Sequence, residues 1–402
     1  MSAKELKKFK IVKEVESGRL TQKKAAKLLN VSDRTVRRWQ RVVEQKDAQG
    51  LVHGNRGQRS PRKIPSKERN KIKKLLLSRY TDFTPAFATE KLLELHDIKR
   101  HRTTIRPIMI ELGLWTPKNK HSGKKVVHRQ WRERKTHRGE LVQFDGSYHD
   151  WFEGRGGINE VCLLAAIDDA TGQILHLSFA PHEGTLPVMD FWTKYAGIQG
   201  LPQAIYLDRF STYKMTQKVA QENHDLKTQL ERACHTLGVE LIFALSPQAK
   251  GRVERLFQTL QDRLIKELRL HNICSVEVAN RFLEGAFISS FNRKYGIDPK
   301  DPTDIHRKLS KRELQEIPDT FCRMNQRTIM NDFTISFKSQ WYQILPTKSL
   351  AIRPKDEVTV REYPDGTLSF SIRNKQALTK PIAKRIAFRM SVCKPTPILV
   401  PI

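Results

Sequence analysis

Asp145, Asp208 and Glu254 are the residues best placed to do chemistry together. Asp145 lies in Glu140-Leu141-Val142-Gln143-Phe144-Asp145-Gly146, where Val142 and Phe144, two apart, make one strand face apolar and leave Asp145 on the other. Asp208 ends the run Ile205-Tyr206-Leu207, at the carboxyl edge where α/β sheets place their sites. Glu254 opens a helix whose Leu256, Phe257, Leu260, Leu264 and Leu268 recur at helical spacing. Each acid alone reads as a cap or a surface carboxylate, since acids favour helix N-termini; the ordered combination outweighs that. Close carboxylates repel unless metal ions compensate their charge. Two divalent ions about 3.5 to 4 Å apart can activate water or a hydroxyl and neutralise a pentavalent phosphate, and hard oxygen donors suit Mg²⁺, with Mn²⁺ as the alternative. Asp150 has the parity of the apolar set and is a weaker candidate, while Asp168 and Asp169 precede Ala170-Thr171-Gly172, where forming a turn is a sufficient role.

The elements needed to hold these acids follow from the pattern around them. Residues 141–152, 161–167 and 173–179 read as three successive antiparallel strands. A helix near 188–195, a strand at 204–208, a helix near 226–237, a strand at 239–245 and a helix at 251–270 then alternate. Strands followed by alternating helices and strands make a mixed α/β sheet, the ordering of the ribonuclease H fold. The core is expected over 140–295, a connector over 296–324, and a small C-terminal β-barrel within 325–402, where Phe333, Ile335 and Phe337 alternate with polar residues, as do Leu368, Phe370 and Ile372. The chain is therefore expected to be multidomain.

The formal charge of +30 points to a polyanionic partner. It is concentrated at the front: residues 1–139 hold 38 Lys and Arg against 13 Asp and Glu. An amphipathic helix at 5–16 with Leu6, Phe9, Val12 and Val15 on one face, a short helix from Thr21 carrying Ala25, Ala26, Leu28 and Leu29, a turn at Asn30-Val31 and a third helix capped by Ser32 fill residues 1–49. Val36, Trp39 and Val43 mark the third helix's buried face, leaving Arg34, Thr35, Arg37, Arg38 and Arg41 to face double-stranded DNA, as on a recognition helix in the major groove. This spacing resembles the helix-turn-helix of transposases and bacterial regulators. Residues 50–65 read as a basic linker, 66–115 as a looser second helix-turn-helix-like unit with Ile72, Leu75, Leu76, Ala88, Leu92, Leu93, Leu95, Ile105, Ile108 and Met109 as its apolar set, and 116–139 as another basic linker.

The segment Ser246-Pro247-Gln248-Ala249-Lys250-Gly251-Arg252-Val253-Glu254-Arg255 with Thr259-Leu260-Gln261-Asp262-Arg263-Leu264 resembles the integrase catalytic core of DDE transposases and retroviral integrases, most of all the ISNCY-type insertion-sequence transposases. The likeness covers the helix-turn-helix front and the core to about residue 295. It implies that Asp145, Asp208 and Glu254 are the catalytic and metal-binding triad, that Lys250, Arg252 and Arg255 hold DNA beside two metal ions, and that the enzyme cuts element ends and joins them to target DNA as an oligomer. The 45 residues between Asp208 and Glu254 exceed the spacing of retroviral integrases, which implies a helical insertion near 210–236. No His-His-Cys-Cys zinc module precedes the core, so end recognition falls to the helix-turn-helix units.

Several classes are disfavoured. No apolar run approaches the roughly 18 residues needed to span a bilayer, and the first residues lack a signal peptide's apolar centre, so a cytoplasmic, nucleoid-associated protein without membrane or small-molecule partner is expected. Five scattered cysteines suggest reduced thiols, and His271 with Cys274 lacks a second ligand pair. Two rivals remain: a DNA-binding regulator using residues 1–115, and a metal-dependent nuclease that joins nothing.

Overall fold

A computed structural model describes residues 1–57, 63–117, 133–208, 217–244, 251–347 and 350–383, with backbone alone at 208, 217–223, 226 and 244. The chain divides into two compact units, Met1–Asp82 with Lys91–Trp115, and Phe83–Glu90 with Thr116–Ile402.

The first unit is helical. In α1 (Ala3–Glu16), Ser2 and Glu5 form a capping box, which satisfies two otherwise orphaned amides. Helix α2 (Gln22–Leu29) is capped by Thr21 and ends at Asn30 in the left-handed conformation (φ 51°), and α3 (Asp33–Lys46) is capped by Ser32, which accepts from the Thr35 amide at 3.3 Å. Ile11, Val15, Ala25, Ala26 and Val36 form the core, with Val12, Val43 and Leu51 beside it. Leu6 and Leu28, expected to be apolar contacts, are exposed, and Glu5 is buried instead, where it accepts from the His53 amide and pairs with Arg56 at 2.8 Å. The first residues of the expected linker 50–65 thus fold back onto α1. Helices α4 (Ser66–Arg79), α5 (Pro85–His96) and α6 (Arg102–Glu111) follow. Ile72, Leu76, Leu92, Ile105, Ile108 and Met109 are buried, whereas Leu93 and Leu95 are exposed.

The second unit is built on a five-stranded mixed sheet in the order β3-β2-β1-β4-β5. Its strands are β1 (Val142–His149), β2 (Val161–Asp168), β3 (Ile174–Ala180), β4 (Ala204–Asp208) and β5 (Glu240–Ala244). Strands β1, β2 and β3 pair antiparallel, and β1, β4 and β5 pair parallel. Both faces are covered, so β2 and β3 are buried along their whole length, as sheets packed on two sides require. One face packs on α7 (Thr185–Gln199) and α8 (Gln217–Leu237), the other on α9 (Gly251–Leu270), α10 (Val276–Phe282) and α11 (Ile288–Tyr295). Helix α8 covers the later part of the stretch near 210–236 where a helical insertion was expected, and residues 210–216 lie outside the described residues. The edge strand β3 is closed by side chains: Asn292 exchanges hydrogen bonds with both backbone groups of Ile174 (2.8 and 2.7 Å), and Asn280 does the same at Phe179 (2.7 and 3.1 Å). Such cover removes a template for pairing with another chain.

The segment Phe83–Glu90 is held by the core. Phe83 and Phe87 stack at 4.9 Å, and Glu90 accepts from Arg263 at 2.5 and 3.1 Å and pairs with Lys294.

After α12 (Lys311–Thr320) come β6 (Arg323–Thr328), β7 (Thr334–Phe337), β8 (Gln340–Leu345), β9 (Glu357–Glu362), β10 (Leu368–Ile372), β11 (Lys375–Gln376) and β12 (Leu378–Ile382). The single barrel expected here is instead two antiparallel sheets, β11-β10-β9-β6 and β12-β8-β7, around one core of Ile335, Phe337, Ile344, Val358, Val360, Phe370 and Ile372. Among the described residues no helix is long and apolar enough to cross a membrane.

Candidate functional site

Strand β1 sorts its side chains by alternation. Val142 and Phe144 join the core under α7, where the Phe144 ring lies 5.1 Å from Phe191 and 5.4 Å from Trp192. Gln143 and Asp145 therefore belong to the opposite face, the one α9 covers; Gln143 is wholly buried and Asp145 half-buried. Asp150, just past the strand, is exposed and its Oδ1 accepts from the Gly154 amide at 3.0 Å, a turn-closing role.

Asp208 ends β4, and its position is fixed by register. Val142 pairs with Ile205 and Gln143 with Tyr206 in parallel; two residues further along both strands stand Asp145 and Asp208. Two of the three expected acids thus each lie two residues beyond the paired stretch, on neighbouring strands. The third, Glu254, lies exposed in the first turn of α9, a helix fixed by Val253, Leu256, Phe257, Leu260, Leu264 and Leu268 packing on the sheet. The favourable dipole at that end suits an acid. Among the described residues no three His, Cys, Asp or Glu side chains converge as a metal cluster, and the side chain of Asp208 lies outside them.

One acid was missed by sequence reasoning. Glu183, between β3 and α7, reaches β1 at Gly146, on the face of Val142 and Phe144 and opposite that of Asp145: a Cβ added at Gly146 would stand 2.6 Å from Glu183 Oε2. The Glu183 amide donates to the Tyr148 hydroxyl at 2.8 Å, which fixes the loop. Burial, with the charges of Glu183 and Asp145, drives the Cys162 thiol far above its ordinary range. Nothing in Pro181-His182-Glu183-Gly184 distinguishes this acid from any helix-leading carboxylate; only the fold brings it to β1.

Of the basic residues expected beside the acids, Arg255 is exposed and Lys250 lies outside the described residues. Arg252 differs from expectation: its guanidinium pairs with the wholly buried Asp169 inside the chain.

In the first unit, α3 presents Arg34, Arg37, Arg38 and Arg41 to solvent, with Thr35 half-buried and its hydroxyl 3.0 Å from Ser32 Oγ. Val36 and Val43 are buried, and half-buried Trp39 carries the Lys8 ammonium 4.7 Å above its ring. One face of the helix is anchored and the other is a row of guanidinium groups.

The winged helix-turn-helix family matches residues 8–69. The chain is 37% identical to y4bF of Sinorhizobium fredii, which carries the name of a transposase, over 92% of this chain and 79% of that protein. It is 31% identical to the transposase for insertion sequence IS1202 of Streptococcus pneumoniae, over 94% of this chain and 86% of that protein. Among solved structures it matches a simian T-cell lymphotropic virus intasome chain (12% identity, 73% of this chain, 99% of that chain, TM-score 0.31) and the HTLV-2 integrase catalytic core domain (16%, 42% and 98%, TM-score 0.29).

Proposed function

Because the chain belongs to the transposases of insertion sequences, we propose that it binds the ends of a mobile DNA element through the α3 surface and cuts and joins DNA at Asp145, Asp208 and Glu254 on a ribonuclease H-like core. The observation that supports this reading is the parallel β1–β4 pairing at Val142–Ile205 and Gln143–Tyr206, two residues before Asp145 and Asp208, on a sheet whose Asp145 face is covered by the helix bearing Glu254. The donor set is carboxylate oxygen only, which fits Mg²⁺ or Mn²⁺ better than softer metals. Two such ions, when bound, would neutralise phosphate charge and lower the pKa of an attacking water or hydroxyl.

The chain's own contribution is placement. The buried face of α9 and the paired strands would position the acids, and the arginines of α3 and Arg255 would grip phosphates by forked hydrogen bonds. In the first step water adds to phosphorus and the 3′ oxygen leaves with a proton. In the second, that 3′ hydroxyl adds to a target phosphodiester and displaces the target's 3′ oxygen, so one ester bond forms as another breaks. Cutting two ends together calls for more than one copy of the chain on DNA.

The experiment is to incubate the full chain and Mg²⁺ with DNA carrying the flanking inverted repeats, then map nicks and joints. Nicks at the ends followed by joined product are expected. Nicks without joints would identify a nuclease, and binding without nicks a regulator; either result overturns the proposal.

A further inference from the structure

The turn after β2 carries two adjacent acids that do different things. Asp168 closes the turn, accepting from the Thr171 amide (2.8 Å), the Thr171 hydroxyl (2.7 Å) and the Gly139 amide (3.0 Å). A turn needs no more. The Asp169 carboxylate leaves the turn altogether: its Oδ2 accepts from the Lys135 amide at 3.0 Å, and its Oδ1 from Gln143 Nε2 at 2.7 Å and from the Arg252 guanidinium. The backbone amide of Asp169 also donates to the Leu141 carbonyl at 2.9 Å.

Asp169 is wholly buried. A carboxylate there costs several kcal/mol of desolvation, and a buried ion pair often does no better for stability than apolar side chains of the same volume. What it does supply is register. Gln143 stands two residues before Asp145 on β1, and Arg252 two residues before Glu254 on α9, so one carboxylate ties together the chain immediately preceding two of the three acids. The position of Arg252 adds to this. A cation in a helix's first turn opposes the helix dipole, and the Asp169 carboxylate offsets that charge where α9 begins.

We propose that Asp169 is a positioning residue for the transposition reaction: through Arg252 and Gln143 it locks the first turn of α9 onto β1 and so sets Glu254 against Asp145. The inference rests on the reading of Asp145, Asp208 and Glu254 as the active site. It gives Arg252 an inward role in place of a grip on DNA.

The test uses the full chain with Asp169→Asn, Arg252→Gln, Arg252→Lys and the double variant Asp169→Asn/Arg252→Gln. Melting temperature, kcat and KM for nicking of end DNA, and Mn²⁺ binding by electron paramagnetic resonance without DNA are measured for each. Loss of an outlying partner of a metal site weakens metal binding or activity by about 10- to 100-fold. Asp169→Asn and Arg252→Gln should each lower kcat and Mn²⁺ affinity on that scale with KM for DNA little changed, and the double variant should be no worse than the poorer single one. Arg252→Lys, which keeps the charge, should recover part of the loss.

If Asp169→Asn does not fold, the two Arg252 variants decide. A rise in KM for Arg252→Gln with kcat unchanged would restore Arg252 to the DNA and overturn the proposal. A nicking wild type whose folded Asp169→Asn variant matches it in kcat and Mn²⁺ affinity overturns this inference alone. A wild type that binds end DNA and never nicks it overturns the active-site reading, and this inference with it.

Discussion

Asp145 and Asp150 show how one strand sorts two acids. Asp145 sits half-buried on the face α9 covers, while Asp150 is exposed beyond the strand and caps the Gly154 amide. Asp145→Asn, Asp208→Asn or Glu254→Gln should each lower end cleavage on the order of 10²- to 10³-fold or more, the scale lost when a charge-stabilising group is removed from a reacting centre, with binding to end DNA little changed. Asp150→Asn, which keeps an acceptor for Gly154, should nick like the wild type. Nicking assays beside binding isotherms check both, and wild-type nicking by any of the three removes that residue from the site. His176 carries a different prediction. Burial, then the Lys194 charge, pulls this histidine down from 6.5 to about 4. The unfolded chain therefore takes up the proton first, so the stability due to neutral His176 is intact above pH 6.5 and is lost as pH falls from there toward 4. At most about 1.4 kcal/mol is lost per pH unit, or about 3 kcal/mol across the window. Urea unfolding between pH 7 and 4 should show His176→Leu with a shallower loss than the wild type; parallel curves would remove His176 from the pH dependence.

At the scale of the element, α3 has one anchored face and one guanidinium face. An arginine forked onto a guanine edge contributes about 1 to 3 kcal/mol of discrimination, whereas a phosphate contact weakens all sequences alike. Arg37→Ala or Arg38→Ala should therefore lower affinity for end DNA more than for a scrambled duplex at fixed salt, in at least one case. Equal losses on both duplexes would reduce the helix to a backbone grip. Much of this scale was legible in the sequence, because caps and alternation are local: the Ser32 cap and the parity of Val142 and Phe144 read correctly. Where local reading failed, the reason is geometric. Leu6, Phe9, Val12 and Val15 step by three, and a helix of 3.6 residues per turn drifts about 60° at each such step, so the series cannot keep one face; Ile11, Val12 and Val15 form the buried set and Leu6 is exposed. Phe333, read as the first of an alternating strand, is a positive-φ residue (57°) outside β7. The C-terminal strands were visible as runs, but which strand pairs with which is settled over long range, and two sheets result. Asp169 looked like a turn former because its partner Arg252 lies 83 residues away, and Glu183 gave no sign at all.

On the whole molecule, charge is divided by function. Residues 1–139 carry 38 of the 73 Lys and Arg but only 13 of the 43 Asp and Glu, leaving the rest of the chain near balance. Affinity for a polyanion should then come mainly from the front of the chain, and chemistry from a core whose acids must tolerate phosphate close by. Salt separates the two. Each phosphate neutralised releases counterions and adds about −0.9 to the slope of log affinity against log salt, so a protein making about six to ten such contacts loses about 10³- to 10⁵-fold in affinity between about 50 and 200 mM. The full chain carrying Glu254→Gln, which binds without cutting, should show a slope in that range on end DNA. A scrambled duplex should give a similar slope from a weaker starting affinity, because phosphate contacts carry no sequence information. The wild-type chain at saturating DNA should keep its nicking rate over the same range, since the exposed arginines set how much DNA is bound and not how fast bound DNA reacts. Fluorescence anisotropy measures the slopes and single-turnover nicking the rates. A slope equal to only one or two phosphates would mean that the basic front end is mostly a solvated surface, and a nicking rate at saturation that falls in step with affinity would mean that the cations gripping DNA are those at the acids themselves.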